Sequence, residues 1–291
     1  MRFSHLSSTT DPTPRLAAVI GDGALFLEEV MDEAPRDLQD LIERGDGALS
    51  HVTAVVNNAI AQHTSLTPVR ELRHASAVLR PPSVIAIGAN YAAHASELAL
   101  RSEKAATIFS LWPNSLAGHG GTTMWPGDLT TQVDYEAELG VIIGKPAKDV
   151  SVQDALDYVW GYTVVNDITA RDLQFSEAQW SRCKSFDGFT PNGPVVVTAD
   201  EIRDPQDLWL TTNVDGTILQ DASTADMVRS VAEIVSYLSR SATIPPGTLI
   251  STGSPGGAGY SRTPPVFLKD HSTVTVSIGG IGYLTTYCRV T

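Results

Sequence analysis

The sequence predicts a β-rich protein of the α+β class, and three observations support this prediction. Short runs of apolar, often β-branched residues recur between Gly, Pro and Asp residues, as expected for strands joined by turns. Helical periodicity is found in only a few places. The composition, 42% hydrophobic and 18% charged over 291 residues, is typical of a globular chain. Together these observations favour a mixed fold over a regular alternation of strands and helices.

The first 79 residues predict a small N-terminal α/β domain. Strands are predicted over 15–20 and 24–27, on either side of a Gly-Asp-Gly turn signal. An amphipathic helix is predicted over 37–44, and a second helix near 50–62. The double proline Pro81-Pro82 then fits neither a helix nor a central strand. We therefore predict two domains, residues 1–79 and 80–291.

The second domain is predicted to consist mainly of strands. Val274, Val276 and Ile278 alternate with polar residues, as in a strand with one buried face. Helices are predicted at 152–158 and, from apolar residues at helical spacing, at 224–239. The predicted strands are 84–88, 138–143, 161–165, 195–197, 208–214, 248–251 and 273–278.

The charge balance excludes some classes of partner. Lys and Arg number 20 against 33 Asp and Glu, a net charge of −13, which disfavours binding to nucleic acid or to an anionic membrane surface. No run approaches the ~18 apolar residues of a membrane helix, and the N-terminus lacks a signal-peptide core. The two cysteines, far apart in sequence, form no CxxC site. We predict a soluble cytoplasmic protein.

The segment VDYEAELGVII (133–143) carries the most chemical information. An extended chain would place Asp134, Glu136 and Glu138 on one face, with the two glutamate Cα atoms roughly 6.6 Å apart. Partly buried acids repel one another unless a cation compensates them, and a set of oxygen ligands favours Mg²⁺, Mn²⁺ or Ca²⁺ over zinc. The alternative is a solvated acidic face of an edge strand, which is the commoner origin of such a pattern.

Two further acids extend this hypothesis. Asp167 follows the apolar strand 161–165 and could supply a third carboxylate, although it could instead cap a helix that begins at Ile168. His94 and Glu97 lie three residues apart on a short predicted helix, so the carboxylate could orient the imidazole as a general base. A surface His–Glu pair is the alternative for these two residues.

Six segments stand in order along the chain: IGANYAAHASEL, VDYEAELGVIIGK, GYTVVNDITARDLQ, CKSFDGFTPNGP, IPPGTLISTGSPGGAG and VSIGGIGYL. They are similar to motifs of the fumarylacetoacetate hydrolase superfamily. From about residue 82 to its end the chain resembles this superfamily, in its branch of acylpyruvases and 2-hydroxyhepta-2,4-diene-1,7-dioate isomerases. The N-terminal region is similar to the small variable domain of many members.

The resemblance implies a mixed β-sandwich roll, a homodimer and a site for Mg²⁺ or Mn²⁺. It implies that the substrate is a small anionic 2-oxo acid. The residues implied by matching motif positions are the metal ligands Glu136, Glu138 and Asp167, the water-activating pair His94 and Glu97, the oxyanion-binding Lys184, and the substrate-binding Tyr91, Gln174 and Ser254.

The activity implied is hydrolysis of a carbon–carbon bond in a 2,4-dioxo acid, an acylpyruvate or fumarylpyruvate, by way of a metal-bound enolate. Decarboxylation of an oxaloacetate-type acid or isomerisation of a 2-hydroxydienoate could follow from the same enolate. Leu111 and Trp112 stand where many members have a lysine, which suggests a more apolar substrate end. A non-catalytic, metal-binding member is the remaining alternative.

The glycine-rich run 253–259 resembles a nucleotide-binding loop only superficially. It lacks the GK[ST] of a P-loop, and no long helix is predicted after it. We predict instead that its glycines allow the backbone to approach the pocket closely.

Overall fold

The computed structural model describes residues 1–98 and 106–291, which form five α-helices and nineteen strands. The helices are α1 (Leu38–Glu43), α2 (Asp46–Ala61), α3 (Ala92–Glu97), α4 (Arg171–Ser176) and α5 (Val231–Ser241). The strands are β1 (Arg2–Ser7), β2 (Arg15–Ile20), β3 (Gly23–Phe26), β4 (Thr67–Pro68), β5 (Arg73–His74), β6 (Val84–Gly88), β7 (Thr107–Ser110), β8 (Leu116–Ala117), β9 (Gly121–Trp125), β10 (Val133–Asp134), β11 (Ala137–Ile143), β12 (Val159–Asn166), β13 (Thr169–Ala170), β14 (Thr190–Thr198), β15 (Trp209–Val214), β16 (Thr217–Ser223), β17 (Leu249–Ser251), β18 (Thr273–Ile278) and β19 (Gly282–Val290).

Most of these strands belong to two sheets. The larger sheet has the order β4-β3-β2-β1-β14-β12-β11-β17-β6-β7, with β5 attached to β1 and β8 to β14. The smaller sheet has the order β16-β15-β18-β19-β9, and β10 and β13 form a separate pair. The predicted β-rich α+β class is confirmed.

The core lies in layers on both faces of the larger sheet. Leu139 and Val164 of this sheet share one buried cluster with Leu210, Val276 and Leu284 of the smaller sheet. Helices α1 and α2 cover the opposite face. The burial of apolar side chains on both faces makes β11 and β12 a rigid support for any side chain at their ends. The second cluster includes Leu38, Leu41, Val52 and Val56 from the helices and Ile142, Val165, Val196 and Leu249 from the sheet.

The N-terminal strands extend the larger sheet, because β1 pairs antiparallel with β14 and places Phe3 opposite Val196. The sequence does not predict strand β1, since three of its five buried side chains, Ser4, His5 and Ser7, are polar. Hydrogen bonds replace the missing apolar signal: Ser4 Oγ donates to the Pro194 carbonyl at 2.7 Å. The division into domains 1–79 and 80–291 stays a prediction.

Two predicted helices differ from the structure. Segment 152–158 forms only a 3₁₀ turn over Ala155–Tyr158, because Val152 and Leu156 stay exposed and do not pack the segment against the core. The helix predicted over 224–239 begins later, at Val231, since Ser230 and Glu233 form a capping box there. Within residues 1–98 and 106–291, no helix combines the length and apolar character needed to cross a bilayer.

Candidate active site

Neighbouring strands bring three acids together. Strands β11 and β12 pair antiparallel with Ala137 opposite Asn166, so Glu138 lies in one strand and Asp167 directly follows the other. The Asp167 N–H donates to the Glu136 carbonyl at 2.9 Å. One carboxylate oxygen from each of Glu136, Glu138 and Asp167 lies within 4.8 Å of the others, and all three side chains are buried. We call these residues the carboxylate triad.

The predicted strand that would place Asp134 on the same face as Glu136 and Glu138 is interrupted in the structure. β10 ends at Asp134 and pairs with β13, whereas β11 begins only at Ala137. Asp134 therefore lies outside the triad, and its carboxylate is 2.8 Å from the Arg171 Nε. The alternative of a helix cap at Asp167 is also wrong, because α4 begins at Arg171 after Ala170.

Two buried cations compensate the acids. Lys184 Nζ lies 2.6 Å from both Glu136 Oε2 and Asp167 Oδ2. Arg171 Nη2 lies 2.7 Å from Glu136 Oε1, so both oxygens of this glutamate face a cation. Sequence reasoning missed Arg171, although it stands in the same ARDLQ motif from which Gln174 was chosen. The sequence does contain a signal for Arg171, because an arginine is always cationic and this one is close in sequence to Asp167.

Burial and neighbouring charges shift the pKa values of the triad in different directions. Burial alone would raise the pKa of Glu136, but Lys184, Arg171 and His94 hold it well below its usual range. Burial and the charges of Asp167 and Glu136 raise the pKa of Glu138 well above its usual range. Burial likewise raises the pKa of Asp167 to about 6, despite its contact with Lys184. The triad thus holds more negative charge than its environment stabilises.

This arrangement fits a divalent cation. Asp167 Oδ1 is buried and has no hydrogen-bond partner among the described residues, so this acceptor is left unused. The donors are all carboxylate oxygens, the set preferred by hard cations such as Mg²⁺ and Mn²⁺. A cation would also relieve the repulsion that raises the pKa of Glu138.

His94 and Glu97 form a buried pair beside the triad. His94, on α3, is 3% exposed, which excludes a solvent-exposed pair. Its Nδ1 lies 3.0 Å from Glu97 Oε2, and its Nε2 lies 3.1 Å from Glu136 Oε1. Burial lowers the pKa of His94, but its bonds to Glu136 and Glu97 outweigh this effect and raise the pKa to about 9. The imidazole is thereby oriented with one nitrogen towards the triad.

The glycine-rich segment binds acids through its backbone. The Gly253 N–H donates to Glu138 at 2.7 Å, and the Gly257 N–H donates to Glu97 at 2.7 Å. The Gly259 N–H donates to Asp134 at 2.8 Å. A Cβ at Gly253, whose φ is +97°, would lie 2.8 Å from the Ile87 carbonyl oxygen. The predicted close backbone approach is therefore confirmed, and only glycine fits at Gly253.

A small cavity of about 10 Å³ lies beside the triad. Gln174 and Ser254 line it, as does Lys184. Gln174 Oε1 accepts a bond from Arg171, whereas its buried Nε2 has no partner among the described residues. Tyr91 is buried but is not one of the described lining residues, so its predicted contact with substrate stays a prediction.

The apolar wall of the cavity differs from the one expected. Leu111 is packed in the core under α1 and α2, and Trp112 is 45% exposed on the surface. Neither is among the described lining residues. The more apolar substrate end that these two residues suggest therefore stays a prediction. Ile87, Phe109 and Trp180 form the wall instead.

Comparisons with known proteins identify relatives of this chain. The family model "fumarylacetoacetate (FAA) hydrolase C-terminal" matches residues 83–289. A mitochondrial oxaloacetate tautomerase of Rattus norvegicus is 36% identical over 275 residues, covering 94% of this chain and 86% of that protein.

Solved structures match over the whole chain. A fumarylacetoacetate hydrolase of Exiguobacterium antarcticum has a TM-score of 0.85 at 33% identity, with 100% of both chains covered. A maleylpyruvate hydrolase of a Sphingobium species, solved with manganese(II) and pyruvate, has a TM-score of 0.82 at 25% identity and covers 100% of this chain and 99% of its own. The chain belongs to the fumarylacetoacetate hydrolase family.

Proposed function

We propose that this chain is a divalent-metal-dependent enzyme that interconverts the keto and enol forms of a small 2-oxo acid of the oxaloacetate type. The observation that carries the proposal is the position of His94, whose Nε2 faces the carboxylate triad while Glu97 holds its Nδ1. The name of the rat relative, an oxaloacetate tautomerase, supports this reaction. The pyruvate bound to the Sphingobium enzyme supports the substrate class.

Glu136, Glu138 and Asp167 are the proposed ligands of Mg²⁺ or Mn²⁺, with Ca²⁺ as a further candidate. Their oxygen-only donor set and the unpaired Asp167 Oδ1 support this assignment. A bound divalent cation would polarise the carbonyl group of the substrate and so acidify the adjacent C–H.

Residues of the chain itself transfer the proton and stabilise the negative charge of the enolate. Tautomerisation transfers one proton from C3 of the substrate to the C2 oxygen, with no other change in atoms or electrons. Glu97 holds Nδ1 of His94, and the pKa of about 9 keeps the ring protonated at neutral pH. In the direction from enol to keto, Nε2 therefore gives a proton to C3 and takes up the proton released from the C2 oxygen. Lys184 Nζ supplies positive charge at the triad, where the enolate oxygen develops. Gln174 Nε2 offers a further donor to the substrate.

Hydrolysis of a carbon–carbon bond in an acylpyruvate or fumarylpyruvate is the second candidate. The buried pair of His94 and Glu97 favours it, because such a pair can also deprotonate water. Hydroxide would add to the C4 carbonyl, and cleavage of the C3–C4 bond would leave a carboxylic acid and the enolate of pyruvate, which takes up a proton. The Sphingobium relative is named as a hydrolase of this kind.

One set of assays separates the two reactions. Purified protein with Mg²⁺ or Mn²⁺ is mixed with the enol form of oxaloacetate, and its ultraviolet absorbance is followed against a metal-only blank. We expect faster decay of the enol without loss of carbon dioxide, and no acceleration by His94→Gln. Release of acid from a panel of acylpyruvates would favour hydrolysis instead. No acceleration on either panel by metal-loaded protein would contradict both candidates.

We also propose that the enzyme is a homodimer, as the family resemblance implies, and that it is cytoplasmic, as the sequence predicts. Light scattering of the purified protein tests the assembly, and the mass of a single chain would contradict it.

A further inference from the structure

One buried amide joins the two halves of the candidate site. Gln220, in β16 of the smaller sheet, is 1% exposed and is not one of the described residues that line the cavity. Its Nε2 donates to Ser254 Oγ and to the Pro255 carbonyl, both at 2.9 Å. Its Oε1 accepts from the Ala137 N–H at 3.0 Å and from Thr212 Oγ1 at 2.8 Å.

These partners belong to the two parts of the site. The Ala137 N–H belongs to the peptide between Glu136 and Ala137, so its bond to Gln220 sets the direction in which the strand leaves Glu136 towards Glu138. Ser254 lines the cavity and directly follows Gly253, whose N–H holds Glu138. The same side chain therefore contacts the backbone that carries the triad and the segment that faces the substrate.

The hydrogen-bond partners also explain why residue 220 is a glutamine. A backbone N–H can only donate and a backbone carbonyl can only accept, so Ala137 requires the amide oxygen and Pro255 requires the amide nitrogen. All four hydrogen-bonding positions of the amide are filled. A carboxylate lacks the donors, and an asparagine is one methylene too short to reach both sides without movement.

We infer that Gln220 is a positioning residue for the enzyme, and that it couples the geometry of the carboxylate triad to that of Ser254. The inference rests on the proposed function. A residue that orients metal ligands without touching the metal is expected to change both metal affinity and turnover when it is replaced.

The test uses Gln220→Met, which keeps the length of the side chain and removes its hydrogen bonds. Titration calorimetry with Mn²⁺ in the absence of substrate is expected to show about 10-fold weaker binding or more. Steady-state kinetics on the substrate of the wild-type protein are expected to show a higher KM, because Ser254 is released, together with a lower kcat. Gln220→Asn, which keeps the amide, is expected to give intermediate values.

Thr212→Val is the matched control. It removes a buried hydrogen bond to the same Oε1 from the side away from the site, so it should lower the unfolding temperature and leave Mn²⁺ affinity and kinetics unchanged. The inference is overturned if the Gln220 variants lose thermal stability but keep the Mn²⁺ affinity and kinetics of the wild type. It is also overturned if both variants fail to fold. If the wild-type protein itself neither binds Mn²⁺ nor converts any 2-oxo acid, it is the proposed function that fails.

Discussion

Two buried histidines, one in the N-terminal region and one in the candidate site, respond to burial in opposite ways. His5 is 0% exposed and His94 is 3% exposed. Burial lowers the pKa of His5 to about 4, whereas carboxylate partners overcome burial and raise the pKa of His94 to about 9. The extent of burial is nearly the same, so the difference must come from the partners.

The partners of His5 suit a neutral ring. Its Nε2 accepts the Leu38 N–H at 3.0 Å, and its Nδ1 lies 3.2 Å from the Ser76 carbonyl oxygen. One acceptor and one donor are what a neutral imidazole offers, so His5 links β1, the start of α1 and the segment before β6 without a charge. His94 instead lies between Glu97 and Glu136. Burial alone therefore does not distinguish a structural histidine from a functional one.

The largest expected effect is on catalysis, from His94→Gln. Loss of the proton-transferring nitrogen is expected to lower kcat by about 10²- to 10⁴-fold. His5→Gln, the matched change in the N-terminal region, should leave kcat unchanged and lower stability. Steady-state rates and urea unfolding of both variants measure this contrast. Equal rate losses in the two variants would remove the distinction between the histidines.

Acid is expected to destabilise the fold through His5. Because its pKa is lower in the folded state than the ordinary value of 6.5, the unfolded chain binds a proton that the folded chain does not. Stability is therefore fully present above pH 6.5 and is lost as the pH falls towards 4, by about 3 kcal/mol in all. Urea unfolding across this range should show a shallower pH dependence for His5→Gln than for the wild type. Parallel curves would contradict the assignment.

Replacing a buried acid of the site is expected to stabilise the metal-free protein, whereas replacing the structural residue His5 is expected to destabilise it. Glu138→Gln removes the carboxylate whose pKa is raised by burial and by the charges of Asp167 and Glu136, and we expect the metal-free protein to become more stable at neutral pH. The same variant should lose stabilisation by Mn²⁺, because an amide replaces a charged ligand. Thermal unfolding with and without Mn²⁺ measures both effects. Undiminished stabilisation by Mn²⁺ would exclude Glu138 as a ligand.

The smallest effect is expected for a charged pair in solvent. Arg15 Nη1 lies 2.8 Å from Glu28 Oε1 in the N-terminal region, and the glutamate is 54% exposed. Glu28→Gln should change the free energy of unfolding by less than about 1 kcal/mol. Urea unfolding at low and high salt tests this expectation. A larger, salt-independent loss would show that the pair is effectively buried.

Much of the site could be predicted because its signals are local. Strands β6 and β18 have the predicted bounds, 84–88 and 273–278. The triad follows from acids placed in or after apolar strands, and the contact of His94 with Glu97 follows from a spacing of three residues.

The remaining features depend on contacts between distant residues. Arg171 lies 37 residues from Asp134, and the Gly257 N–H reaches Glu97 across 160 residues. Gln220 has no charge and no motif, so its four hydrogen bonds could be recognised only after the two sheets were in place. The same holds for His5, whose partners lie in two later segments of the chain.

The glycine-rich segment limits how this chain can diversify in evolution. Gly253, Gly257 and Gly259 each hold a different acid, so an insertion or deletion among them would displace the base, the triad and the Asp134–Arg171 pair at once. The apolar wall formed by Ile87, Phe109 and Trp180 is not constrained in this way. New substrate preferences should therefore arise through point changes in that wall, while the glycine segment keeps its length.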